Sequence, residues 1–250
     1  MRAVVELLAG ARRLVIFTGA GVSAESGIPT FRDALGGLWA RYDPAALATP
    51  AAFADDPALV WGWYEWRRLK VLGVQPNPAH RAIAALSGRI ANTRLVTQNV
   101  DDLHERAGSR DVLHLHGSLH APRCATCAAA YRDALPDSVE PEEGRRIEPP
   151  RCPACGGQVR PGVVWFGEAL PEAALREAFA AACECDLLLS VGTSGVVQPA
   201  ARIPGLALEH GASVVHVNPQ PVRTRHPREH CLVGPAGEVL PELLRRAFPG

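Results

Sequence analysis

The sequence has no long apolar segment, no excess of charge of either sign and almost no lysine. No run approaches the roughly 18 apolar residues that a membrane helix needs, and Glu6 with two arginines interrupts the N-terminal stretch where a signal core would lie. The 26 basic and 26 acidic residues cancel, so net charge favours neither nucleic acid nor a membrane as a partner. Lys70 is the only lysine, and we attach no functional meaning to this bias. We expect a cytoplasmic protein.

Four short apolar runs predict the strands of one parallel sheet, at 13–17, 93–99, 186–194 and 212–218. Each run ends in small or polar residues, a pattern typical of buried strands whose carboxyl ends form a ligand-binding edge. Segments with a helical period, such as 77–88 and 171–185, lie between them. This alternation predicts an α/β fold with an open, doubly wound, Rossmann-like parallel sheet.

Two segments do not follow this alternation. Segment 33–74 holds four of the five tryptophans and has a helical pattern, whereas 119–160 is rich in Cys, Pro and Gly. We predict that both are insertions that form a smaller lobe against the sheet, with a ligand crevice between the lobes. The expected division assigns the following ranges to the large lobe: 1–32, 75–118 and 161–250.

A glycine turn after the first predicted strand resembles a dinucleotide-binding fingerprint. Gly19, Gly21 and Ala24 have the spacing G-x-G-x-x-A, in which backbone N–H groups and a helix N-terminus approach a pyrophosphate. A dehydrogenase would continue with a helix, a second strand and an acidic ribose ligand roughly 20 residues on. Gly27 and Pro29 break the helix too early for that. The pattern indicates a nucleotide cofactor held in another layout, and a tight turn without a ligand is the alternative.

Amide and carboxylate side chains follow the second predicted strand. Asp101 as a helix N-cap, with Asp102 in the first turn, would explain the acids alone. It leaves Gln98 and Asn99 unexplained, which favours a role for this cluster in binding at the rim of the sheet.

Two histidines occur in the run "LHLHG". If this run is extended, His114 and His116 lie on one face, and a neutral imidazole is a suitable general base near pH 7. We expect one of the two to be only a hydrogen-bonded structural residue.

Two C-x-x-C pairs predict a metal site. Cys124 and Cys127 are separated from Cys152 and Cys155 by 24 residues, slightly more than is usual in four-thiolate zinc sites. A redox role is the alternative, but two pairs in an irregular segment favour a structural zinc ion with a closed ligand shell. The remaining cysteines are expected to be small buried hydrophobes: Cys183, Cys185 and Cys231.

Three later segments are candidates for ligand contacts. The apolar run 161–168 is either a core strand or an edge that pairs with an extended peptide. Gly192, Thr193 and Ser194 end one predicted strand and Asn218 ends the next, where they can contact phosphates or ribose hydroxyls.

In combination, these motifs resemble the sirtuins, NAD-dependent protein-lysine deacylases, over nearly the whole chain. The matching blocks run in family order: "GAGVSAESGIPTFRD", "TQNVDDLHERAG", "HLHG", the four cysteines, "PGVVWFGE", "VGTSGVVQPA", "VNPQP" and "GPAGEVLP". The resemblance implies a single catalytic domain over 1–250, NAD as a co-substrate and one structural zinc ion. It also implies that an acylated-lysine protein or peptide binds as an extended strand, and a monomer is the default.

The resemblance also implies residue roles. His116 corresponds to the general base that deprotonates a ribose hydroxyl, with Asn99 and Asp101 as further catalytic residues and His114 as the structural histidine. Phe31, Arg32 and Asp33 would border the nicotinamide ribose. The implied NAD-binding residues are Gly19, Ala20, Gly21, Ser23, Ala24, Ile28, Pro29, Thr30, Phe31, Arg32, Trp39, Gln98, Asn99, Val100, Asp101, Gly192, Thr193, Ser194, Asn218, Pro219, Gln220 and Ala236. The implied peptide-binding residues are Val164, Trp165, Phe166, Gly167, Glu168 and Val197.

The choice of acyl group is the last expectation. Tyr64 and Arg67 are i, i+3 on a predicted helix and resemble the Tyr-x-x-Arg of the sirtuins that remove succinyl and malonyl groups. There the Arg fork holds a distal carboxylate and the Tyr hydroxyl donates to it. An exposed charged helix face is the alternative for this pair. For the whole chain, the alternatives are a protein ADP-ribosyltransferase and a catalytically idle NAD-sensing module.

Overall fold

The computed structural model of the chain describes residues 1–30, 40–135 and 145–249. Its strands are β1 (Arg13–Thr18), β2 (Asn92–Thr97), β3 (Leu113–His114), β4 (Gly117–Cys124), β5 (Val159–Val163), β6 (Leu187–Val191), β7 (Ser213–Asn218) and β8 (Glu229–Val233). Six of them form one sheet in the order β3-β2-β1-β6-β7-β8, and all neighbours in it are parallel. The strand order reverses beside β1, which makes the β1–β6 boundary the switch point of a doubly wound sheet.

The helices either cover the two faces of this sheet or lie in the insertions. They are α1 (Arg2–Gly10), α2 (Gly21–Ala24), α3 (Pro44–Leu47), α4 (Pro50–Asp55), α5 (Pro57–Leu72), α6 (Pro78–Arg89), α7 (Leu103–Arg106), α8 (Glu172–Glu184), α9 (Ile203–Glu209) and α10 (Ala236–Ala247). Side chains of β1 alternate between two cores: Leu14 and Ile16 pack with α1, α6 and α10, whereas Val15 and Phe17 pack with α8 and α9. The predicted fold class is confirmed.

The four predicted strands of the sheet correspond to β1, β2, β6 and β7. No apolar run predicts β3, because this strand has only two residues. None predicts β8, because Glu229 and His230 occupy its first positions. Among the described residues, no helix is both long enough and apolar enough to cross a membrane.

A third core lies in the insertions. Trp63 and Tyr64 of α5 pack there with Leu119 of β4 and with Val163 and Trp165. Three successive helices, α3, α4 and α5, each begin with a proline that follows a capping side chain, from Asp43, Thr49 and Asp56 respectively. The antiparallel β4–β5 pair closes this unit, and β5 crosses the predicted boundary at residue 161. The residue boundaries of the two lobes stay a prediction.

Candidate active site

The glycine turn after β1 packs directly against the turn after β6. The N–H of Gly21 donates to the carbonyl of Gly192 over 2.9 Å, and a Cβ built at Gly21 would lie 2.8 Å from the Gly192 Cα. A Cβ at Gly19 would lie 2.9 Å from the Gly192 oxygen, and Gly192 itself has a φ of 61°. The glycines are therefore required where two strand ends meet at the switch point, which is where open α/β sheets bind ligands.

A buried polar cluster lies beside this turn. The Asn99 Nδ2 donates to the Ser23 Oγ and the Ser23 Oγ donates to the Asp101 Oδ2, each over 3.0 Å. Burial raises the pKa of Asp101, while hydrogen bonds from Leu103 and Ser23 act in the opposite direction. The Asp101 Oδ1 also accepts from the N–H of Leu103 over 3.2 Å. The N-cap residue of α7 is Asp102 and not Asp101, so the capping role considered for Asp101 is wrong by one residue.

The two histidines of "LHLHG" have different environments. The His116 Nδ1 lies 2.9 Å from the carbonyl oxygen of Gln98, which assigns the proton to Nδ1 and leaves Nε2 as the basic nitrogen. Burial lowers the pKa of His116, and the bond to Gln98 opposes this only in part. The imidazole is therefore neutral near pH 7.

His114, in contrast, has an acceptor at each ring nitrogen. The Nδ1 lies 3.0 Å from the carbonyl oxygen of Asn99 and the Nε2 lies 2.7 Å from the Glu105 Oε1. Burial acts to lower the pKa of His114, but the Glu105 carboxylate, the bond to Asn99 and the charge of Asp101 act together in the opposite direction and the pKa is raised. Both ring nitrogens are therefore engaged, so His114 holds the backbone of the Asn99 segment rather than presenting a free basic nitrogen.

A cavity lies between α5 and the segment that follows the glycine turn, Ile28 to Thr30. Its wall includes three groups of residues predicted from sequence, namely Ile28 to Thr30, Val100 with Asp101, and Arg67. It also includes residues that the sequence analysis did not select: Pro44, Trp63, Trp66, Lys70, Val71 and Leu119. The cavity is thus walled mainly by apolar and aromatic groups, with the positive charges contributed by α5.

Tyr64 and Arg67 lie together on α5, as their spacing predicts. The Arg67 guanidinium carbon is 5.1 Å from the Trp63 ring centroid and 5.7 Å from the Tyr64 ring centroid. The Tyr64 hydroxyl accepts from the Trp165 Nε1 over 3.1 Å, and burial raises the pKa of Tyr64 to about 12. The hydroxyl therefore keeps its own proton and remains able to donate to a further acceptor.

The segment after β5 is a turn and not a strand. The N–H of Val164 donates to the carbonyl of His116, and the N–H of Phe166 donates to that of Ala48, each over 2.9 Å. The Glu168 Oε2 accepts from the Trp165 N–H over 2.8 Å and from the Arg160 Nη2 over 2.9 Å. The Glu168 carboxylate thus braces the turn internally, whereas the Phe166 side chain is 49% exposed.

The positions predicted for the adenosine half of NAD lie along the same sheet edge. The Gly192 N–H donates to the carbonyl of Val217, and the Gly234 N–H donates to that of Asn218, each over 3.0 Å. Ala236 begins α10 and is buried, while the next N–H, that of Gly237, donates to Glu25 over 3.0 Å. Ser194, Pro219 and Gln220 are exposed. Phe31, Arg32, Asp33 and Trp39 lie outside the described residues.

The sequence did not predict a second group of buried polar side chains, which lies next to the cluster of Ser23, Asn99 and Asp101. The Thr18 Oγ1 donates to the Thr97 Oγ1 over 2.8 Å and contacts the His104 Nε2 at 3.0 Å, and the Ser23 Oγ lies 3.4 Å from the His80 Nε2. Burial lowers the pKa of His80 to about 4 and that of His104 to about 3, so this layer carries no histidine charge near pH 7. The feature of the sequence that could have indicated this group is a threonine at the end of two neighbouring strands, Thr18 in β1 and Thr97 in β2.

The four predicted cysteine ligands converge between β4 and β5. Their Sγ atoms all lie within 4.8 Å of one another, with Cys124 to Cys155 at 3.5 Å and Cys127 to Cys152 at 3.8 Å. A tetrahedral zinc ion with Zn–S bonds of about 2.3 Å requires sulfur separations of about 3.8 Å. The N–H groups of Thr126 and Cys127 also donate to the Cys124 Sγ. The cysteines are therefore positioned to bind a zinc ion, which would close the end of the hairpin.

Replacing Cys127 with serine is expected to remove bound zinc and to lower the Tm by roughly 10 °C, because the loops between β4 and β5 lose their cross-link. Metal analysis and thermal unfolding measure the two effects. Cys183→Ser is the matched control, because Cys183 lies on α8, away from the four-cysteine cluster. Equal metal content and equal Tm in both variants would contradict the assignment.

The sheet order, the glycine turn at its switch point and the four-thiolate module define a Rossmann-type α/β protein with a metal-binding insertion. The chain belongs to the Sir2 family, whose model matches residues 19–199.

Two solved structures and one curated relative illustrate this similarity. An NAD-dependent protein deacylase of Methylococcus capsulatus is 59% identical over 98% of each chain. A Sir2 homolog–NAD complex is 46% identical with a TM-score of 0.85, covering 99% of this chain and 93% of that chain. Sir2Af2 bound to a myristoylated histone peptide is 35% identical with a TM-score of 0.72, covering 98% and 95%.

Proposed function

We propose that this chain is an NAD-dependent protein deacylase that removes succinyl, malonyl and also acetyl groups from lysine side chains. The products are nicotinamide, O-acyl-ADP-ribose and the free lysine. Membership of the Sir2 family supports the reaction class, since relatives at this identity are named NAD-dependent protein deacylases. The observation that carries the acyl preference is the Arg67 side chain in the wall of a largely apolar cavity next to Asp101.

We assign NAD to the carboxyl edge of the sheet. The turn of residues 19–24 approaches the phosphates, and the turns at 192–194 and 218–220, with Ala236, receive the adenosine half. Gln98, Asn99 and Asp101 hold the ribose and nicotinamide end. The contacts of Asn99 and Asp101 with Ser23 support this assignment, because they fix both side chains at a short distance from the glycine turn.

His116 is the general base in this proposal. The glycosidic bond to nicotinamide breaks as the acyl oxygen attacks the anomeric carbon, and the Nε2 then accepts the proton of a ribose hydroxyl. That hydroxyl oxygen attacks the former acyl carbon, and the bond from this carbon to the lysine nitrogen breaks as the amine takes up a proton and leaves. One water molecule then adds to the remaining cyclic acyl–ribose intermediate and gives O-acyl-ADP-ribose. The proton on Nδ1 and the neutral ring near pH 7 suit a base that must take up one proton.

Arg67 and Tyr64 bind the distal carboxylate of the acyl group. A guanidinium presents parallel N–H donors that match a carboxylate, and the aromatic rings of Trp63 and Tyr64 hold the Arg67 side chain in place. The Tyr64 hydroxyl accepts from Trp165, so its own proton is oriented for donation. An acetyl group has no distal carboxylate and gains nothing from either donor.

The acylated segment of the substrate protein binds along Val164 to Glu168 and Val197. Exposure of Phe166 and Val197 supports this, since an extended peptide would cover both apolar side chains. Four reduced thiolates suit a reducing compartment, and we propose that the protein acts in the cytoplasm as a monomer on acylated-lysine proteins, without nucleic acid or membrane partners.

A panel of peptides that differ only in the lysine acyl group tests this function. With NAD present, mass spectrometry should show loss of succinyl and malonyl groups faster than loss of acetyl groups, together with O-acyl-ADP-ribose. ADP-ribose that stays on protein and forms without an acylated lysine would instead identify an ADP-ribosyltransferase. NAD that remains intact with every peptide would identify an idle binding module.

A further inference from the structure

The only lysine of the chain lines the same cavity as Arg67. Lys70 is in the last turn of α5 and contributes to the cavity wall one helical turn after Arg67. Lys70 is exposed, so its ammonium group stays hydrated. Within the described residues, Lys70 makes no ion pair, and its charge is available to a ligand.

The two cations of α5 are held in the same way. Each lies over the aromatic ring four residues earlier on the helix, with Arg67 at 5.1 Å from the Trp63 centroid and the Lys70 Nζ at 5.8 Å from the Trp66 centroid. This spacing puts both side chains on one face, directed toward the helix N-terminus. Trp63 and Trp66 also line the cavity, so the face that carries both charges is the face that meets the ligand.

Tyr64, Arg67 and Lys70 lie at increasing distances along α5 from the proposed peptide-binding segment, Val164 to Glu168. Tyr64 is bonded to Trp165, Arg67 follows after about 4.5 Å of helix rise, and Lys70 follows after about 9 Å. An acyl group that enters beside Trp165 therefore meets Arg67 first. Each further methylene carries its distal carboxylate from Arg67 toward Lys70.

We propose that Lys70 is a specificity-determining residue that favours longer dicarboxylic acyl groups, with an effect that increases from malonyl through succinyl to glutaryl. This inference rests on the proposed deacylase function. The ammonium group adds positive potential beyond Arg67, where the carboxylate of a five-carbon acyl group lies. The remaining lining residues on this side, such as Val71 and Leu119, offer no charge.

The test compares Lys70→Gln with the unchanged protein on one peptide that carries acetyl, malonyl, succinyl or glutaryl lysine. Because the charge is exposed, kcat/KM for glutaryl should fall only about threefold to fivefold, mainly through KM. The loss should be smaller for succinyl and absent for acetyl. It should shrink when the ionic strength is raised to about 0.5 M, and Lys70→Arg should retain the activity on glutaryl lysine.

Arg89→Gln is the matched control, because Arg89 is also an exposed cation in the last turn of a helix, α6, on the sheet. Three results would each overturn the role of Lys70. In the first, Lys70→Gln lowers kcat/KM equally for all four acyl groups; in the second, it does not lower kcat/KM for glutaryl lysine. In the third, Arg89→Gln shows the same pattern as Lys70→Gln. If Arg67→Met still lowers desuccinylation selectively, the proposed function survives that result. If the unchanged protein does not distinguish dicarboxylic from acetyl groups, the acyl preference and the role of Lys70 both fail.

Discussion

Replacing His116 with glutamine is expected to lower kcat/KM for deacylation by about 100- to 10,000-fold, the usual contribution of a general base. The glutamine side chain retains an N–H that can donate to the Gln98 carbonyl, as the His116 Nδ1 does over 2.9 Å. It has no basic nitrogen. The substitution therefore removes proton transfer while it preserves the contact that positions the side chain.

Two further readouts separate loss of the base from loss of the fold. The Tm and its increase on NAD addition should stay close to those of the unchanged protein. Exchange of labelled nicotinamide into NAD should also decline less than product formation, because the base acts after the glycosidic bond has broken. His210→Gln, at an exposed position after α9, is the control. Full product formation by His116→Gln would exclude His116 as the base.

The pH dependence gives an independent check on the same residue. The basic form of His116 is the neutral one, and burial lowers its pKa from 6.5. Activity should therefore be flat near pH 7 and decrease only as the pH falls below 6.5, where the ring gains a proton. An acid limb centred above 6.5 would contradict the environment described for His116.

Much of the fold could be predicted from sequence because its signals are local. Four apolar runs identify four strands of the sheet, and Gly19 and Gly21 identify the turn after β1 because a Cβ there would collide with Gly192. The four cysteines identify their own cluster. Each of these signals depends on residue type and on short spacing.

Contacts between distant segments could not be predicted in this way. The Trp165 bond to Tyr64 joins residues 101 positions apart, and the Thr18 bond to Thr97 joins residues 79 apart. The sequence shows Lys70 only as part of a compositional bias, because its place in a cavity with Arg67 depends on the fold. The Arg160 bond to Glu168 spans only eight positions, but it depends on a turn after β5 that the apolar run 161–168 did not predict.

Replacing Arg67 with methionine is expected to lower kcat/KM for desuccinylation by about 30- to 300-fold, since two charge-assisted hydrogen bonds to the distal carboxylate are lost. Methionine keeps an unbranched apolar side chain at this position but loses the guanidinium group that lies 5.1 Å from the Trp63 ring centroid. Deacetylation should decrease by only a small factor, because an acetyl group makes neither bond. Initial rates on matched succinyl and acetyl peptides give the ratio directly.

A charge effect on Asp101 is the main rival explanation, because Arg67 and Asp101 line the same cavity. Arg67→Lys separates the two, since it keeps a positive charge toward Asp101 but has no planar fork. If the fork reads the carboxylate, Arg67→Lys should recover deacetylation fully and desuccinylation only in part. Tyr64→Phe should add a smaller, succinyl-selective loss, because it removes one donor and also the acceptor of Trp165. If Arg67→Met instead lowers kcat/KM equally for desuccinylation and deacetylation, and Arg67→Lys restores both equally, then Arg67 acts by supporting Asp101. That result would remove the basis for a dicarboxylic acyl preference.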